Sequence, residues 1–218
     1  MNVAIILSGG TGKRFGTKLP KQYSTLCGRP VIDYVLESVS NTKTIDEIVL
    51  VIDKEYIKLI NIPKTKKVHL VENGIERVNS VKNALDFIKN NLPETNNIII
   101  TQAVQPFVTA NQVDEYIEKL NEYDVVVTAE KCVGEIFNIQ NFEKINRNMY
   151  YFCHSPEAFK FDEIYKYLDL NSEFSELVYH YPKEPKIYYY LGMENNIKLT
   201  HQCDLEYAEI IMQRKKDK

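Results

Sequence analysis

The sequence predicts an α/β fold, with helices on both faces of a mostly parallel sheet, in one domain spanning residues 1–218. Three observations lead there. Short apolar runs alternate with amphipathic stretches from end to end, the pattern of β-α-β units. The first run, Val3–Leu7, breaks abruptly into Ser8-Gly9-Gly10-Thr11-Gly12, as a buried parallel strand does when it delivers a glycine-rich loop. A chain of 218 residues suffices for one sizeable core, and no repeat or low-complexity linker divides it.

Taken in order, the strands are Val3–Leu7, Ile48–Ile52, Val68–Val71, Asn97–Thr101, Val125–Thr128 and Ile187–Leu191. Each is a run of β-branched or aromatic residues bounded by polar or turn residues. The helices are Pro30–Val39, Arg77–Asn90, Asn111–Leu120, Phe161–Asp169 and Asp204–Arg214. In the second of these, Val78, Val81, Ala84, Leu85 and Ile88 share a face, the spacing of a helix lying on a sheet. Thr109 or Asn111 is the candidate cap of the third. Residues 131–150 break the alternation, and Val133–Ile139 with Asn148–Phe152 predict an extended hairpin.

Composition excludes several classes. A net charge of -3 gives no general attraction to nucleic acid or to an anionic membrane. No apolar run approaches the roughly 18 residues of a membrane span, and no signal-peptide pattern is present. Cys27, Cys132, Cys153 and Cys203 are scattered without C-x-x-C spacing, as in a reduced, cytoplasmic protein rather than a zinc or disulfide framework.

The first loop carries the chemistry. Glycines let backbone N–H groups approach an anion, while Arg14 and Lys21 supply cationic charge behind them. That combination predicts a nucleoside triphosphate site. A mere tight turn accounts for Gly9 and Gly10 but not for the basic residues. A P-loop would need a hydroxyl residue after Gly12-Lys13, where Arg14 stands, and a dinucleotide fingerprint needs G-x-G-x-x-G, whereas Gly10, Gly12 and Gly16 are spaced G-x-G-x-x-x-G.

Leu7-Ser8-Gly9-Gly10-Thr11-Gly12-Lys13-Arg14-Phe15-Gly16, followed by Pro20-Lys21-Gln22-Tyr23, resembles the opening signature of the cytidylyltransferases that activate methylerythritol phosphate or ribitol 5-phosphate. Later stretches resemble the family in the same order. Asn73-Gly74-Ile75-Glu76-Arg77-Val78-Asn79-Ser80 stands where the family has Gly-Gly-x-x-Arg-x-x-Ser/Thr, so Gly74, Arg77 and Ser80 are implied to hold cytosine and ribose, with Asn73 replacing a glycine. Gln102-Ala103-Val104-Gln105-Pro106-Phe107 stands where the family has Asp-Ala-x-Arg-Pro, its Asp helping to bind magnesium and its Arg supporting the substrate. Gln102 is therefore the position match for a metal ligand, although hard cations prefer charged oxygens. The paired loss of an anion and a cation fits either a retuned acceptor site or a protein that has lost its chemistry.

The resemblance further implies that Gln105, Cys132 and Arg147 face the acceptor substrate. Arg14, Lys21 and Lys198 would be the catalytic cations, the last from Gly192-x-x-x-Asn196-x-Lys198-x-Thr200-x-x-x-Asp204. Leu7, Ser8, Gly9, Gly10, Thr11 and Gly12 would line the nucleotide loop. Also implied are a Rossmann-like fold of the nucleotide-diphospho-sugar transferase type, Mg2+, and a homodimer joined through the arm near 131–150. The implied reaction moves CMP from CTP to a sugar-alcohol phosphate, releases pyrophosphate and yields a CDP-alditol for cell-surface polysaccharide. The Met149-Tyr150 arm end and the Val104–Phe107 pattern favour the ribitol-phosphate branch.

Overall fold

The computed structural model describes residues 1–10, 19–193 and 195–216. Its centre is a seven-stranded sheet of order β5-β4-β1-β6-β8-β7-β9. The strands are β1 (Asn2–Leu7), β4 (Glu47–Val51), β5 (Lys67–Val71), β6 (Asn97–Gln102), β7 (Val125–Lys131), β8 (Tyr151–Lys160) and β9 (Ile187–Tyr190). A small antiparallel pair, β2 (Thr25–Leu26) and β3 (Arg29–Pro30), lies outside it. The helices are α1 (Val31–Ser40), α2 (Arg77–Asn91), α3 (Ala110–Lys119), α4 (Phe161–Tyr167) and α5 (Gln202–Lys216).

The alternation of side chains along the strands explains why helices cover both faces. Ala4 and Ile6 of β1 join Ile48 and Leu50 of β4 under α1 and α3, with Ile32, Val35, Leu36, Val113, Tyr116 and Ile117. Val3 and Ile5 point the other way and meet Val81, Ala84, Leu85 and Ile88 of α2 with Phe161 and Ile164 of α4. Thr109 caps α3, its side chain accepting from Gln112 N. A third cluster of Leu26, Val31, Val104, Phe107, Leu199 and Ala208 docks α5 beside the loop after β6.

β1 pairs in parallel with both β4 and β6, with Leu7 opposite Val51 and Gln102. The chain runs outward from β1 to β4 and β5, then returns to β6, so the sheet's topological switch lies beside the loop that follows β1. Ligands of open α/β sheets gather at such a point, outside the carboxyl ends of the strands.

Two expectations need correction. The ten residues of β8 form a full strand antiparallel to both β6 and β7, where the sequence predicts no strand over Cys153–Lys160. β8 is buried on both faces over Ser155–Phe159 and reads Ser-Pro-Glu-Ala-Phe, so neither alternation nor an apolar run announces it. Second, the hairpin pairs Thr128–Lys131 with Tyr151–His154 rather than 133–139 with 148–152. Between those ends the described backbone holds only a Phe137–Lys144 bridge and a short 3-10 turn at Arg147–Met149.

Candidate active site

Four chain segments converge at the carboxyl edge of the sheet. The loop after β1 is anchored at its base by Ser8 N donating to Val51 O at 2.9 Å and by Ala103 N donating to Leu7 O at 2.9 Å. The Lys21–Tyr23 turn is stapled onto it. Gln22 Nε2 donates to Ser8 O at 2.7 Å and to Gly10 O at 3.2 Å, and Tyr23 OH lies 3.0 Å from Ser8 Oγ. Burial pushes the Tyr23 phenol up to about 12, against the opposing hydrogen bonds of Ser8 and Gln22, so it remains a neutral hydrogen-bonding group. The Pro-Lys-Gln-Tyr motif thus has two jobs: Gln22 and Tyr23 are buried struts, and Lys21 is held half-buried beside the loop. Arg14, Thr11 and Gly12, expected in this loop, lie outside the described residues.

The second segment follows β5. A Cβ on Gly9 would lie 3.0 Å from Asn73 Cβ, so the first loop and Asn73 are in direct contact. Gly74 N donates to Ser80 Oγ at 3.0 Å, and a Cβ on Gly74 would fall 2.3 Å from Asn79 Cβ and 2.8 Å from Ser80 N. α2 begins there with a capping box between Glu76 and Asn79. Arg77, expected at the nucleoside, directs its guanidinium to Ser175 O, 3.2 Å from Glu157 Oε2 and 3.8 Å from Glu176 Oε2.

Glu157 is 0% exposed and its Oε1 also accepts from Leu177 N at 3.0 Å and Val178 N at 3.4 Å. Burial, then the nearby Glu176 charge, push its carboxyl up to about 8, while Arg77 pulls it back. Arg77 and Glu157 therefore tie the start of α2 to β8 and to the 175–178 segment.

The third segment is the loop after β6, where both glutamines serve one hub. Gln102 Nε2 donates to Ser155 Oγ at 2.8 Å, Ser155 Oγ donates to Gln105 Oε1 at 2.7 Å, and Gln105 Nε2 donates to Ser155 O at 2.7 Å. Both neutral amides are thus bonded to one serine of β8. Gln105, expected on the substrate, is 0% exposed and braces Ser155 from behind. Both ends of its carboxamide are bonded to Ser155.

The fourth segment, 195–204, joins the same hub. Asn196 Nδ2 donates to Ser155 O at 3.3 Å, and Leu199 N donates to Val104 O at 3.0 Å. The adjacent Lys198 is exposed next to this seam. Asp204 accepts from Thr200 N at 2.6 Å and His201 N at 2.7 Å. Burial would raise its carboxyl, but those N–H groups, with the charges of His201 and Lys21, hold it below its usual value. Asp204 thus caps the turn that follows Lys198.

Cys132 and Arg147 lie apart, in the hairpin. Cys132 is buried at its base, and Arg147 bonds Val133 O and pairs with Glu135 at 3.3 Å. Sequence reasoning assigns no role to Ser155, Asn196, Glu157, Gln22 and Tyr23, although Gln22, Tyr23 and Asn196 lie in the quoted motif stretches. Buried polar residues within an otherwise apolar setting were the available signal.

A family profile described as "IspD: 2-C-methyl-D-erythritol 4-phosphate cytidylyltransferase" matches residues 2–214. The chain belongs to this family. A 2-C-methyl-D-erythritol 4-phosphate cytidylyltransferase of Petrotoga mobilis is 30% identical over 98% of this chain and 99% of its own. A ribitol-5-phosphate cytidylyltransferase of Lacticaseibacillus paracasei is 28% identical, covering 99% of both. The solved 4-diphosphocytidyl-2C-methyl-D-erythritol synthase of Anaerococcus prevotii superposes with a TM-score of 0.80 at 27% identity over 98% of each chain. The chain is thus a CTP-dependent cytidylyltransferase of this family on the nucleotide-diphospho-sugar transferase fold. No helix among the described residues is long and apolar enough to cross a membrane.

Proposed function

We propose that this enzyme transfers CMP from CTP to a sugar-alcohol phosphate of the ribitol 5-phosphate type, releasing pyrophosphate and forming a CDP-alditol. The observation that supports this choice of acceptor is the neutral Gln102–Ser155–Gln105 hub at the carboxyl end of β6. Met149 and Tyr150 at the arm end support the same branch. The relatives carry both acceptors in their names, so the competing reading is methylerythritol phosphate.

In this reaction an acceptor phosphate oxygen attacks the α-phosphorus in line, and pyrophosphate leaves. Such chemistry needs positioning and charge neutralisation rather than a covalent nucleophile. Arg14 and Lys21 neutralise the triphosphate in this reading, Gly9, Gly10, Gly74 and Ser80 line the nucleoside, and Lys198 and Arg147 meet the acceptor phosphate. Arg77 supports the nucleoside side from behind, through Glu157.

Among the described residues there is no group of three or more His, Cys, Asp or Glu side chains able to hold a metal. Gln102, with its amide nitrogen on Ser155, offers one neutral oxygen at most. These residues do not form a Mg2+ cage, so the divalent ion of this reading travels with the nucleotide phosphates.

The arm carries Val133, Ile139 and Phe142 at 84%, 95% and 76% exposure, apolar surface that a second copy of the chain would cover. A homodimer closing the acceptor side with Arg147 follows.

The test is pyrophosphate release with CTP, Mg2+ and either D-ribitol 5-phosphate or 2-C-methyl-D-erythritol 4-phosphate. A kcat/KM at least about tenfold higher for the ribitol ester is expected. The reverse order would assign the other acceptor.

A further inference from the structure

Two carboxyls meet one guanidinium where the start of α2, β8 and the 175–178 segment come together. Arg77 Nη2 lies 3.2 Å from Glu157 Oε2 and 3.8 Å from Glu176 Oε2. Among the described residues, Arg77 is the one cation in ion-pair contact with either carboxyl. The Glu157 side chain is fully buried, that of Glu176 is 18% exposed, and the two carboxyls lie within hydrogen-bonding reach of each other. Glu157 Oε1 already accepts from Leu177 N and Val178 N, which leaves Oε2, the oxygen on Arg77, for Glu176. Two carboxylates this close, out of water and sharing one countercharge, do not both ionise, and a hydrogen bond between them requires a proton.

We propose that Glu157 and Glu176 hold one proton between them, and that through this bridge Glu176 acts as a positioning residue, keeping the 175–178 segment closed on Arg77 and β8 during CMP transfer. The inference rests on the transfer reaction read above and adds a group to it. Arg77 is the first residue of α2, directly after the Gly74–Glu76 turn, and Glu157 stands two residues from Ser155 on β8. One bridge therefore ties the turn on the nucleoside side to the hub that, in the proposed reading, faces the acceptor.

The direction of the pH response follows from the surroundings. Burial, then the Glu176 charge, raise the Glu157 carboxyl to about 8, against the pull of Arg77. The other titratable groups near it are Cys153 on β8 and Tyr116 of α3, both raised chiefly by burial, so neither is the first to lose a proton. The bridge is closed at neutral pH and opens as pH rises through about 8. Two anions then face one cation, and Glu176, the more exposed, is the one able to turn to water. It would draw with it Ser175, whose carbonyl accepts from Arg77.

The experiment compares the wild type with Glu176→Gln, Glu176→Ala and Glu157→Gln, with melting curves to confirm that each is folded. In infrared difference spectra between about pH 7 and about pH 9, the wild type should lose one protonated-carboxyl band that neither Gln variant loses. Over the same range, kcat/KM for pyrophosphate release is taken as a ratio to Glu176→Gln, so that ionisation of the substrates cancels. That ratio should fall about tenfold, the change in protonated fraction of a group titrating near 8. Glu176→Gln keeps a neutral hydrogen-bonding arm and should stay within about threefold of the wild type at neutral pH, whereas Glu176→Ala should be about tenfold lower at every pH. A missing band, a ratio flat with pH, or Glu176→Ala equal to Glu176→Gln overturns the inference. A band that titrates in a protein turning over neither acceptor refutes the proposed reaction and leaves the shared proton standing.

Discussion

Replacing Gly74 by alanine tests whether the contact between the β5 loop and α2 sets the nucleoside side of the site. The added Cβ would lie 2.3 Å from Asn79 Cβ, 2.7 Å from Asn79 C and 2.8 Å from Ser80 N. Carbon atoms pack comfortably at about 3.5–4.0 Å, so the loop or the first turn of α2 must move by more than 1 Å or so. Two of the three obstacles are backbone atoms, which cannot turn aside as a side-chain tip can. Overpacking of this kind costs about 1–3 kcal/mol, and loss of the Gly74 N to Ser80 Oγ bond adds about 1 kcal/mol. For a domain of this size each kcal/mol lowers the melting temperature by roughly 2–4 °C, giving an expected drop of about 5–15 °C.

Calorimetric melting of Gly74→Ala beside Gly134→Ala is the assay. A Cβ at Gly134 meets nothing within 4 Å, so that variant should stay within about 0.5 kcal/mol of the parent. Movement of the same turn displaces Asn73 from Gly9, and the KM for CTP should rise about tenfold or more in Gly74→Ala alone. If Gly74→Ala melts with the parent and keeps its KM, the close packing described for this turn is wrong.

Four further outcomes follow from the same contacts. Glu157 is raised from an ordinary value near 4.5 to about 8, chiefly by burial. The folded protein therefore holds more protons than the unfolded chain between those values, and stability falls as pH rises through that window, then levels above it. Glu157→Gln should flatten the decline in urea midpoints between pH 5 and pH 8 or so; a curve parallel to the parent's would rule out this residue as its source. Ser155→Ala releases Gln102 and leaves Gln105 held only by the carbonyl of residue 155, and should raise the KM of the acceptor several-fold while leaving that of CTP within about twofold; equal effects on both substrates would deny the hub its one-sided role. Lys21→Ala should lower turnover by about a hundredfold or more in pyrophosphate release, and unchanged activity would remove it from the triphosphate. Phe142→Asp in the arm should shift sedimentation from dimer to monomer, whereas an unaltered dimer would place the interface elsewhere.

The strands on the β1 side of the sheet were readable because they obey simple rules. β1, β4 and β6 are buried on both faces by helices, so they appear as uninterrupted Val, Ile and Leu runs, and their parallel pairing follows from the amphipathic crossovers between them. β8 obeys none of these rules. Its central residues must be polar because they serve the site: Ser155 holds Gln102, Gln105 and Asn196, and Glu157 holds Arg77 and the 177–178 backbone. A strand recruited for hydrogen bonding loses the apolar signature by which strands are found. The same trade explains the glutamines. Read along the chain, Gln102 and Gln105 are two lost charges and suggest decay. Read across the sheet, they are partners of a single serine fifty residues away. Decay would have left Ser155 with unmatched bonding capacity. The two amides and Ser155, joined by the Asn196 amide nitrogen, form one neutral hydrogen-bonded cluster, which in the proposed reading faces the acceptor.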